Sequence, residues 1–290
     1  MLLKQEKDRG WHLISNKKTD EPQLYVVATP IGNKSDISSR AIDVLKSVDV
    51  IACEDCRTSA TLLEIFGVTT KLVSYHKFNE KQRTQEFLDL IENGKKIALI
   101  SDAGTPCISD PGRVLVKELS ERGIKVTSIP GASAVITFLS MIPREREEFA
   151  FVAFLPRIKG QQAELFLKYK NIDTVFYESA NRLIDTLSNL LAVRGLNTKV
   201  AVGRELTKKF EETIVGSVSE VIDYFKNNVL KGEIVCVVYA DEVVEDESEI
   251  VEYIHKLKAL KYSDKDISRI LSALFDINKN KVYKLSLEME

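Results

Sequence analysis

The sequence predicts an α/β protein with two consecutive α/β domains and a small helical module near the carboxyl end. Three observations predict it: short apolar runs alternate with amphipathic stretches, one polar segment with a proline interrupts the alternation, and an acidic run ends it. The 290 residues are 44% hydrophobic and 29% charged, which is typical of a globular chain long enough for two packed domains.

The first α/β domain is predicted over residues 23–142. Alternating strands and helices there predict a mainly parallel sheet covered on both faces. The strands are expected at Leu24–Thr29, Val48–Cys53, Lys71–Tyr75, Lys96–Ile100 and Lys125–Ile129. The helices include Ser38–Val48, Lys81–Glu92 and Pro111–Arg122, the last with proline at its first position.

The second α/β domain is predicted over residues 149–240, after the polar break Ile142–Glu148. A hairpin of Val200–Arg204 with Phe210–Val215 predicts that its sheet is mixed. Ser217–Asn227 is expected to be a helix, since Ser217 and Glu220 have the spacing of a capping box. The strands are expected at Phe149–Leu155, Thr174–Tyr177, Lys199–Val202 and Ile234–Tyr239.

The two ends of the chain differ from these domains. Residues 1–22 form an N-terminal extension whose many charged residues leave no apolar segment of a secretory signal, and no window of ~20 apolar residues predicts a membrane span. A cytoplasmic protein without membrane contact is expected. Residues 241–249 are an acidic linker, and residues 250–290 a helical tail. Its helices are expected at Ile250–Leu260, Asp264–Phe275 and Lys279–Leu287.

Charge and cysteine content limit the possible functions. Lys+Arg 41 against Asp+Glu 43 gives a formal net charge of -2, so any RNA site must be a local basic patch. Cys53 and Cys56 form a C-x-x-C, but the sequence offers no second pair to complete a zinc site. We expect reduced cysteines and no metal, with these two as small residues at the end of a buried strand.

Turn-forming segments follow three strands of the first domain. The sequence contains neither G-x-G-x-x-G nor G-x-x-x-x-G-K-[ST], which disfavours a nicotinamide or nucleoside triphosphate enzyme. The turns are Ala28–Asn33, Ser101–Gly112 and Pro130–Ala134. Each alone is explained by a plain strand-to-helix connection, but together they predict a small-molecule pocket at the carboxyl ends of the strands, where Asp102 can accept hydrogen bonds.

Several motifs resemble one family in order along the chain. They are Gln23–Asn33, Glu54-Asp55 with Arg57-Thr58, Ser74–His76 with Asn79-Glu80, Ser101–Gly112, Phe154–Pro156, Phe176–Ser179 with Arg182, Arg204–Lys208 with Glu211, and Lys279-Asn280 with Tyr283. This set closely resembles the bacterial ribosomal RNA small subunit methyltransferase I family. Its members are 16S rRNA cytidine 2′-O-methyltransferases of the tetrapyrrole methylase superfamily.

The resemblance implies two α/β domains of the tetrapyrrole methylase type with S-adenosylmethionine in the cleft between them. It also implies a homodimer and small-subunit rRNA, or the small ribosomal subunit, as partner. The sequence departs from the usual pattern at Cys56, Ala132 and Ala153, where threonine, proline and glycine respectively are common. By position, the implied cofactor residues are Pro30, Gly32, Asp102, Ala103, Gly104, Thr105, Ser133, Ala134, Tyr177 and Leu206.

A ribose hydroxyl is a weak nucleophile, so a base or a cation that favours the alkoxide would assist methyl transfer. Glu178, Arg204 and Glu205 are the predicted catalytic residues, although a salt-bridge network between the domains would explain the same charges. The residues predicted to bind RNA are Arg57, His76, Arg182, Lys208 and Lys209.

Two other functions remain open from the sequence. A small-molecule tetrapyrrole methyltransferase would share the fold and the cofactor. A non-catalytic ribosome-binding protein would retain only the remnant of a cofactor pocket.

Overall fold

A computed structural model of the chain describes residues 21, 23–241, 247–275 and 277–289. The described residues form two compact units that divide between Tyr239 and Ala240. The predicted N-terminal extension, apart from residue 21, and residues 242–246 of the predicted acidic linker lie outside the described residues. Among the described helices, none is both long and apolar enough to cross a membrane.

The first sheet has five strands, all parallel, in the order β3-β2-β4-β1-β5. The strands are β1 (Leu24–Val27), β2 (Val50–Cys53), β3 (Lys71–Ser74), β4 (Ile97–Ile100) and β5 (Val126–Ile129). The helices are α1 (Ser39–Ser47), α2 (Cys56–Ile65), α3 (Glu80–Glu92), α4 (Arg113–Glu121) and α5 (Ala134–Met141). Apolar clusters on both faces bury β2 and β4 completely, as expected for a parallel sheet.

The predicted helix Pro111–Arg122 begins later than expected. Gly112 has a φ of 130°, which lies outside the helical range, so α4 starts at Arg113 and Pro111 belongs to the preceding turn. The turn from Ser101 to Gly112 is therefore continuous up to the first residue of the helix.

The second sheet is mixed, as the predicted hairpin requires, with strand order β6-β7-β10-β8-β9. β6 and β7 are parallel, and every other pairing is antiparallel. Ser217 and Glu220 form the predicted capping box at the start of α8. The strands are β6 (Phe149–Phe154), β7 (Asp173–Ser179), β8 (Lys199–Arg204), β9 (Glu212–Ser217) and β10 (Glu233–Val238); the helices are α6 (Lys159–Lys168), α7 (Ala180–Arg194) and α8 (Val218–Asn227).

The two faces of the second sheet contact different parts of the protein. One face packs under α6, α7 and α8. The other packs against α5, where Phe138 is completely buried among Val175, Ala201 and Val235. This apolar contact joins the two sheets and leaves a cleft beside it. We propose residues 23–142 and 149–240 as the bounds of the two α/β domains.

In the unit that begins at Ala240, the described residues form three helices, α9 (Glu247–Ala259), α10 (Asp264–Phe275) and α11 (Lys279–Leu287). The first of them begins at Glu247, inside the predicted linker and three residues before the predicted start at Ile250. It has an apolar core of its own, in which Ile254, Ile267, Leu271 and Val282 are fully buried.

Candidate functional site

A cavity of about 350 Å³ lies in the cleft between the two sheets. One side is formed by the turns after β1, β4 and β5, and the other by the end of β7, the start of β10 and the segment after β8. Its lining residues are Ile31, Ala103, Gly104, Thr105, Ile108, Ser109, Asp110, Ser133, Ala134, Phe154, Tyr177, Glu178, Ser179, Leu206, Gly232, Glu233, Ile234 and Val235.

The three predicted turns are tied to one another. The Thr29 and Gly104 backbones exchange two hydrogen bonds of 2.9 and 3.0 Å, and the Thr29 hydroxyl donates to the Ser101 carbonyl. The Thr105 hydroxyl donates to the Ala132 carbonyl over 3.1 Å. These bonds preorganise the wall of the cavity, so a ligand does not have to order it on binding.

Three carboxyl groups make this end of the first sheet electronegative. Asp110 lines the cavity, and its pKa is raised, mainly by burial and to a smaller extent by the charge of Asp102. Burial, Asp110 and Asp102 likewise raise the pKa of Glu54. Asp102 accepts a 3.1 Å hydrogen bond from the Asp55 backbone. A cation in the cavity would relieve this repulsion.

The second domain supplies an aromatic wall. The Tyr177 ring lies 5.1 Å from the ring of Phe151 and 5.5 Å from that of Phe154. Tyr177 is half-buried, whereas Phe154 is 59% exposed at the opening of the cavity.

Seven of the ten residues predicted to contact the cofactor line the cavity: Ala103, Gly104, Thr105, Ser133, Ala134, Tyr177 and Leu206. Pro30, Gly32 and Asp102 are not among the lining residues. Gly32 lies against the turn after β8, where a Cβ would come within 2.6 Å of the Thr207 hydroxyl, and the neighbouring Asn33 N–H donates to that hydroxyl. The glycine therefore permits close approach of the domains.

The predicted catalytic Glu178 lies at the edge of the cavity, but its carboxylate is fully buried against α7. It accepts hydrogen bonds from the Ser179 backbone and the Thr186 hydroxyl, and it pairs with Arg182 at 3.3 Å. Both carboxylate oxygens of Glu178 are therefore engaged by groups of the protein.

Arg204 and Glu205, the other two predicted catalytic residues, differ in position. The Arg204 guanidinium pairs with Glu212 at 2.8 Å on the face of the sheet that packs under α8, and Glu212 also accepts from the Tyr224 hydroxyl. Glu205 lies near the cavity rim beside Gly232. The Glu233 N–H and then the Lys208 ammonium hold the pKa of Glu205 below its usual range.

The predicted RNA-binding residues contact different parts of the protein. Lys208 bridges Glu205 and Glu233, and Arg182 donates to the carbonyls of Leu155 and Pro156. Arg57, paired with Asp55, has a side chain that is 92% exposed.

His76 and Lys209 each lie beside an exposed phenylalanine. The rings of His76 and Phe78 are 6.0 Å apart, and the Lys209 ammonium lies 5.5 Å from the centre of the Phe210 ring. Phe78 and Phe210 are 86% and 64% exposed.

Sequence reasoning missed Asp110 as a lining residue and Phe78 and Phe210 as exposed rings. Asp110 is inside the Ser101–Gly112 turn, but no local pattern shows which side chains of that turn face the cavity. For the two phenylalanines the available signal was an adjacent lysine, Lys77 or Lys209.

The C-x-x-C sulfur atoms lie 3.2 Å apart as two free thiols. Burial raises the pKa of Cys53 to about 12, which disfavours the reactive thiolate. Within the described ranges 21, 23–241, 247–275 and 277–289, no group of three or more His, Cys, Asp or Glu side chains is arranged to hold a metal ion.

Comparisons with known proteins identify the family. The model of the family Tetrapyrrole (Corrin/Porphyrin) Methylases matches residues 23–222. The chain is 38% identical over 278 residues to the ribosomal RNA small subunit methyltransferase I of Halalkalibacterium halodurans, covering 93% of this chain and 96% of that protein. It is 42% identical over 237 residues to the protein of that name from Bacillus subtilis, covering 80% and 81%.

A solved structure shares the fold. Uroporphyrin-III C-methyl transferase from Thermus thermophilus, complexed with S-adenyl homocysteine, is 16% identical, has a TM-score of 0.53, and is matched over 74% of this chain and 97% of that one. The chain therefore belongs to the tetrapyrrole methylase family of S-adenosylmethionine-dependent methyltransferases, within the group named ribosomal RNA small subunit methyltransferase I.

Proposed function

We propose that this protein transfers a methyl group from S-adenosylmethionine to the 2′-hydroxyl of a cytidine in 16S rRNA, acting in the cytoplasm as a homodimer. The observation that carries the proposal is the preorganised interdomain cavity, which is lined by the turns that the family resemblance assigns to the cofactor. The name of the relatives supports small-subunit rRNA, free or in the assembled subunit, as the substrate.

The residues of the cavity fit this cofactor. A volume of about 350 Å³ is within the range of sites for a small organic ligand. Apolar side chains such as Ile31 and Leu206 can cover an adenine, while the polar groups of Thr105 and Ser133 can bind its ribose or amino acid part. The carboxyl groups near Asp110 complement a positively charged sulfonium.

S-adenosylmethionine supplies an electrophilic methyl group on that sulfonium. The protein's part is to hold the ribose hydroxyl in line with it and to keep water away. The tied turns around Gly104 and the aromatic wall at Tyr177 provide a rigid, partly apolar enclosure for this purpose. Asp110 is a carboxyl group in the lining whose pKa is raised, so it can accept a proton nearer to neutral pH than an ordinary aspartate can.

The proposed RNA contacts combine exposed cations with exposed rings. Lys77 lies 4.9 Å from the centre of the Phe78 ring, as Lys209 lies over Phe210. Ammonium groups neutralise phosphates, and aromatic faces stack with unpaired bases. Such pairs allow a chain of net charge -2 to bind a polyanion locally.

The reaction can be tested with purified protein and S-adenosylmethionine carrying a tritiated methyl group. Stripped small subunits, free rRNA and a uroporphyrinogen-type tetrapyrrole are offered separately, and ribose methylation is mapped by mass spectrometry. We expect label on one cytidine of 16S rRNA. Label on the tetrapyrrole alone would make the protein a small-molecule methyltransferase, and RNA binding without transfer would make it non-catalytic.

The cavity itself is tested by filling it. Ala103→Leu places a larger side chain in the lining and should abolish S-adenosylhomocysteine binding and methyl transfer together. Ala60→Leu, at an exposed position of α2, is the matched control and should change neither. Equal cofactor affinity in both variants, measured by calorimetry, would contradict the placement of the cofactor.

A further inference from the structure

We infer that Phe154 is a stacking platform for the base of the nucleotide that receives the methyl group, and that Glu178 and Arg182 are its positioning residues. This inference rests on the proposed function, since it assumes an RNA substrate, and it names the side chain that orients the target nucleotide.

An irregularity in β6 turns Phe154 toward the cavity. Phe151 pairs with Val175, but Tyr177, two residues further along β7, pairs with Phe154 instead of Ala153. The extra residue places Phe154 on the same face as Phe151, whereas regular alternation would place it on the opposite face. Ala153 has a φ of 57°, in the left-handed region that favours glycine. The chain thus adopts a strained conformation where it directs this ring into the cleft.

The ring of Phe154 is the outermost of three in contact. The ring of Tyr177 lies between Phe151 and Phe154, at 5.1 and 5.5 Å from their centres. Phe154 lines the cavity yet is 59% exposed, so it presents an open aromatic surface at the entrance. Unpaired bases of RNA are bound by stacking on surfaces of this kind.

The position of Phe154 favours the RNA base over the adenine of the cofactor. The cavity has the volume of a site for one small ligand, which the cofactor occupies under the proposed function. A polymeric substrate can reach that cavity only through its opening, where Phe154 is exposed. A base stacked there would bring its own ribose to the cavity mouth.

Two hydrogen bonds and an ion pair hold the segment after Phe154. Arg182 donates to the carbonyls of Leu155 and Pro156 over 3.1 and 3.0 Å. The buried Glu178 carboxylate pairs with the same guanidinium nitrogen at 3.3 Å. In this arrangement Glu178 does not act as a base and Arg182 does not contact RNA. Both residues act by holding Phe154 in position.

Phe154→Leu tests the platform, since leucine keeps an apolar side chain and removes the aromatic face. We expect unchanged S-adenosylhomocysteine affinity, a normal melting temperature, and a loss of about 5- to 150-fold in kcat/KM for rRNA, the factor that stacking of one base provides. Phe149→Leu, at the other end of β6 and outside the lining, is the control and should methylate like wild type.

Phe154→Trp gives a readout that does not depend on activity. The tryptophan should restore methylation and its fluorescence should be quenched when unstructured RNA is added; wild type, whose one tryptophan is Trp11, supplies the background. Full activity in Phe154→Leu would overturn the platform, and so would a loss of S-adenosylhomocysteine affinity equal to the loss in kcat/KM, which would place the ring on the cofactor. A wild-type protein that methylates no RNA would instead overturn the proposed function.

The positioning role is tested by combining variants. If Glu178→Gln acts through Phe154, its effect on kcat/KM should shrink in the Phe154→Leu background, so that the double variant loses less than the product of the two separate factors. Arg144→Lys weakens another largely buried ion pair, with Asp173 at 3.1 Å, and is the structural control. The double variant of Arg144→Lys and Phe154→Leu should lose kcat/KM by the product of the two separate factors. If the double variant of Glu178→Gln and Phe154→Leu also loses that product, Glu178 does not act through Phe154.

Discussion

At the residue scale, the site depends on which partners engage each charged group. The Glu178 carboxylate and the Arg204 guanidinium are held in ion pairs on the face of the second sheet turned away from the cleft, whereas Asp110, which lines the cavity, has a raised pKa. We therefore propose that the charge which acts on the cofactor is that of the acidic turn of the first domain rather than that of Arg204.

The first prediction concerns Asp110 and pH. Burial favours its neutral form, while a bound sulfonium favours the carboxylate, so S-adenosylmethionine should bind more tightly as the pH rises through the raised pKa of Asp110. S-adenosylhomocysteine, which lacks the sulfonium charge, should show a flatter profile in calorimetry. Asp110→Asn should flatten the first profile and leave the second unchanged. If Asp110→Asn binds S-adenosylmethionine normally at every pH but transfers the methyl group slowly, Asp110 acts on the ribose hydroxyl rather than on the sulfonium.

The second prediction separates RNA-binding from structural cations. Lys209→Ala should lower the slope of log affinity against log salt by about 0.7 to 0.9, because one phosphate contact is lost. Arg204→Ala should instead leave the slope unchanged and lower the melting temperature, since it leaves the largely buried Glu212 without its cation. RNA titrations at several salt concentrations measure the slope for each variant. An unchanged slope for Lys209→Ala would exclude that lysine from the RNA interface.

At the element scale, the contact between α5 and β8 sets the cleft. The Phe138 ring from α5 lies directly on the backbone of Gly203, where a Cβ would approach the ring to 2.6 Å. The cavity can form beside this contact because the two sheets approach so closely there.

We expect Gly203→Ala to destabilise the fold by about 1 to 3 kcal/mol, the usual cost of overpacking a core, and to weaken S-adenosylhomocysteine binding. Gly160→Ala, on α6 with no atom within 4 Å of the added Cβ, is the matched control and should be neutral or slightly stabilising. Denaturant unfolding and calorimetry report both quantities. A stable Gly203→Ala protein with normal affinity would show that the sheets can shift without disturbing the site.

At the scale of the whole molecule, the protein divides into a unit that contains the cavity and a helical unit with its own core. In the helical unit the Lys256 ammonium lies 5.2 Å from the centre of the Tyr253 ring, a cation–ring pair like those at Phe78 and Phe210. We propose that this unit contributes to substrate binding rather than to the chemistry.

A chain that ends after Asp241 should test this division. Because each unit has its own core, the shortened chain should fold and bind S-adenosylhomocysteine as the full chain does. It should bind the ribosomal substrate more weakly, because it lacks the helical unit. Thermal unfolding, calorimetry and filter binding measure the three properties. A truncated chain that fails to fold would show that the last three helices stabilise the rest of the protein, and the proposed boundary would be wrong.

The amino-acid sequence alone predicted the order of strands and helices, the mixed second sheet, the three turns of the cavity and the family. These properties follow from local information: apolar periodicity marks the elements, and glycine, proline and aspartate mark the turns. Seven of the ten predicted cofactor residues line the cavity because they belong to those turns or to the ends of predicted strands.

Only the tertiary structure decided which way the side chains face. Glu178 and Arg204 lie at strand ends, as expected, but strand pairing turns both toward the helices on the outer face of the sheet. One extra residue in β6 brings Phe154 to the cleft, and the packing of the Ser101–Gly112 turn brings in Asp110. Strand register, a bulge and the burial of a loop depend on residues far apart in the chain, so no local pattern could have shown them.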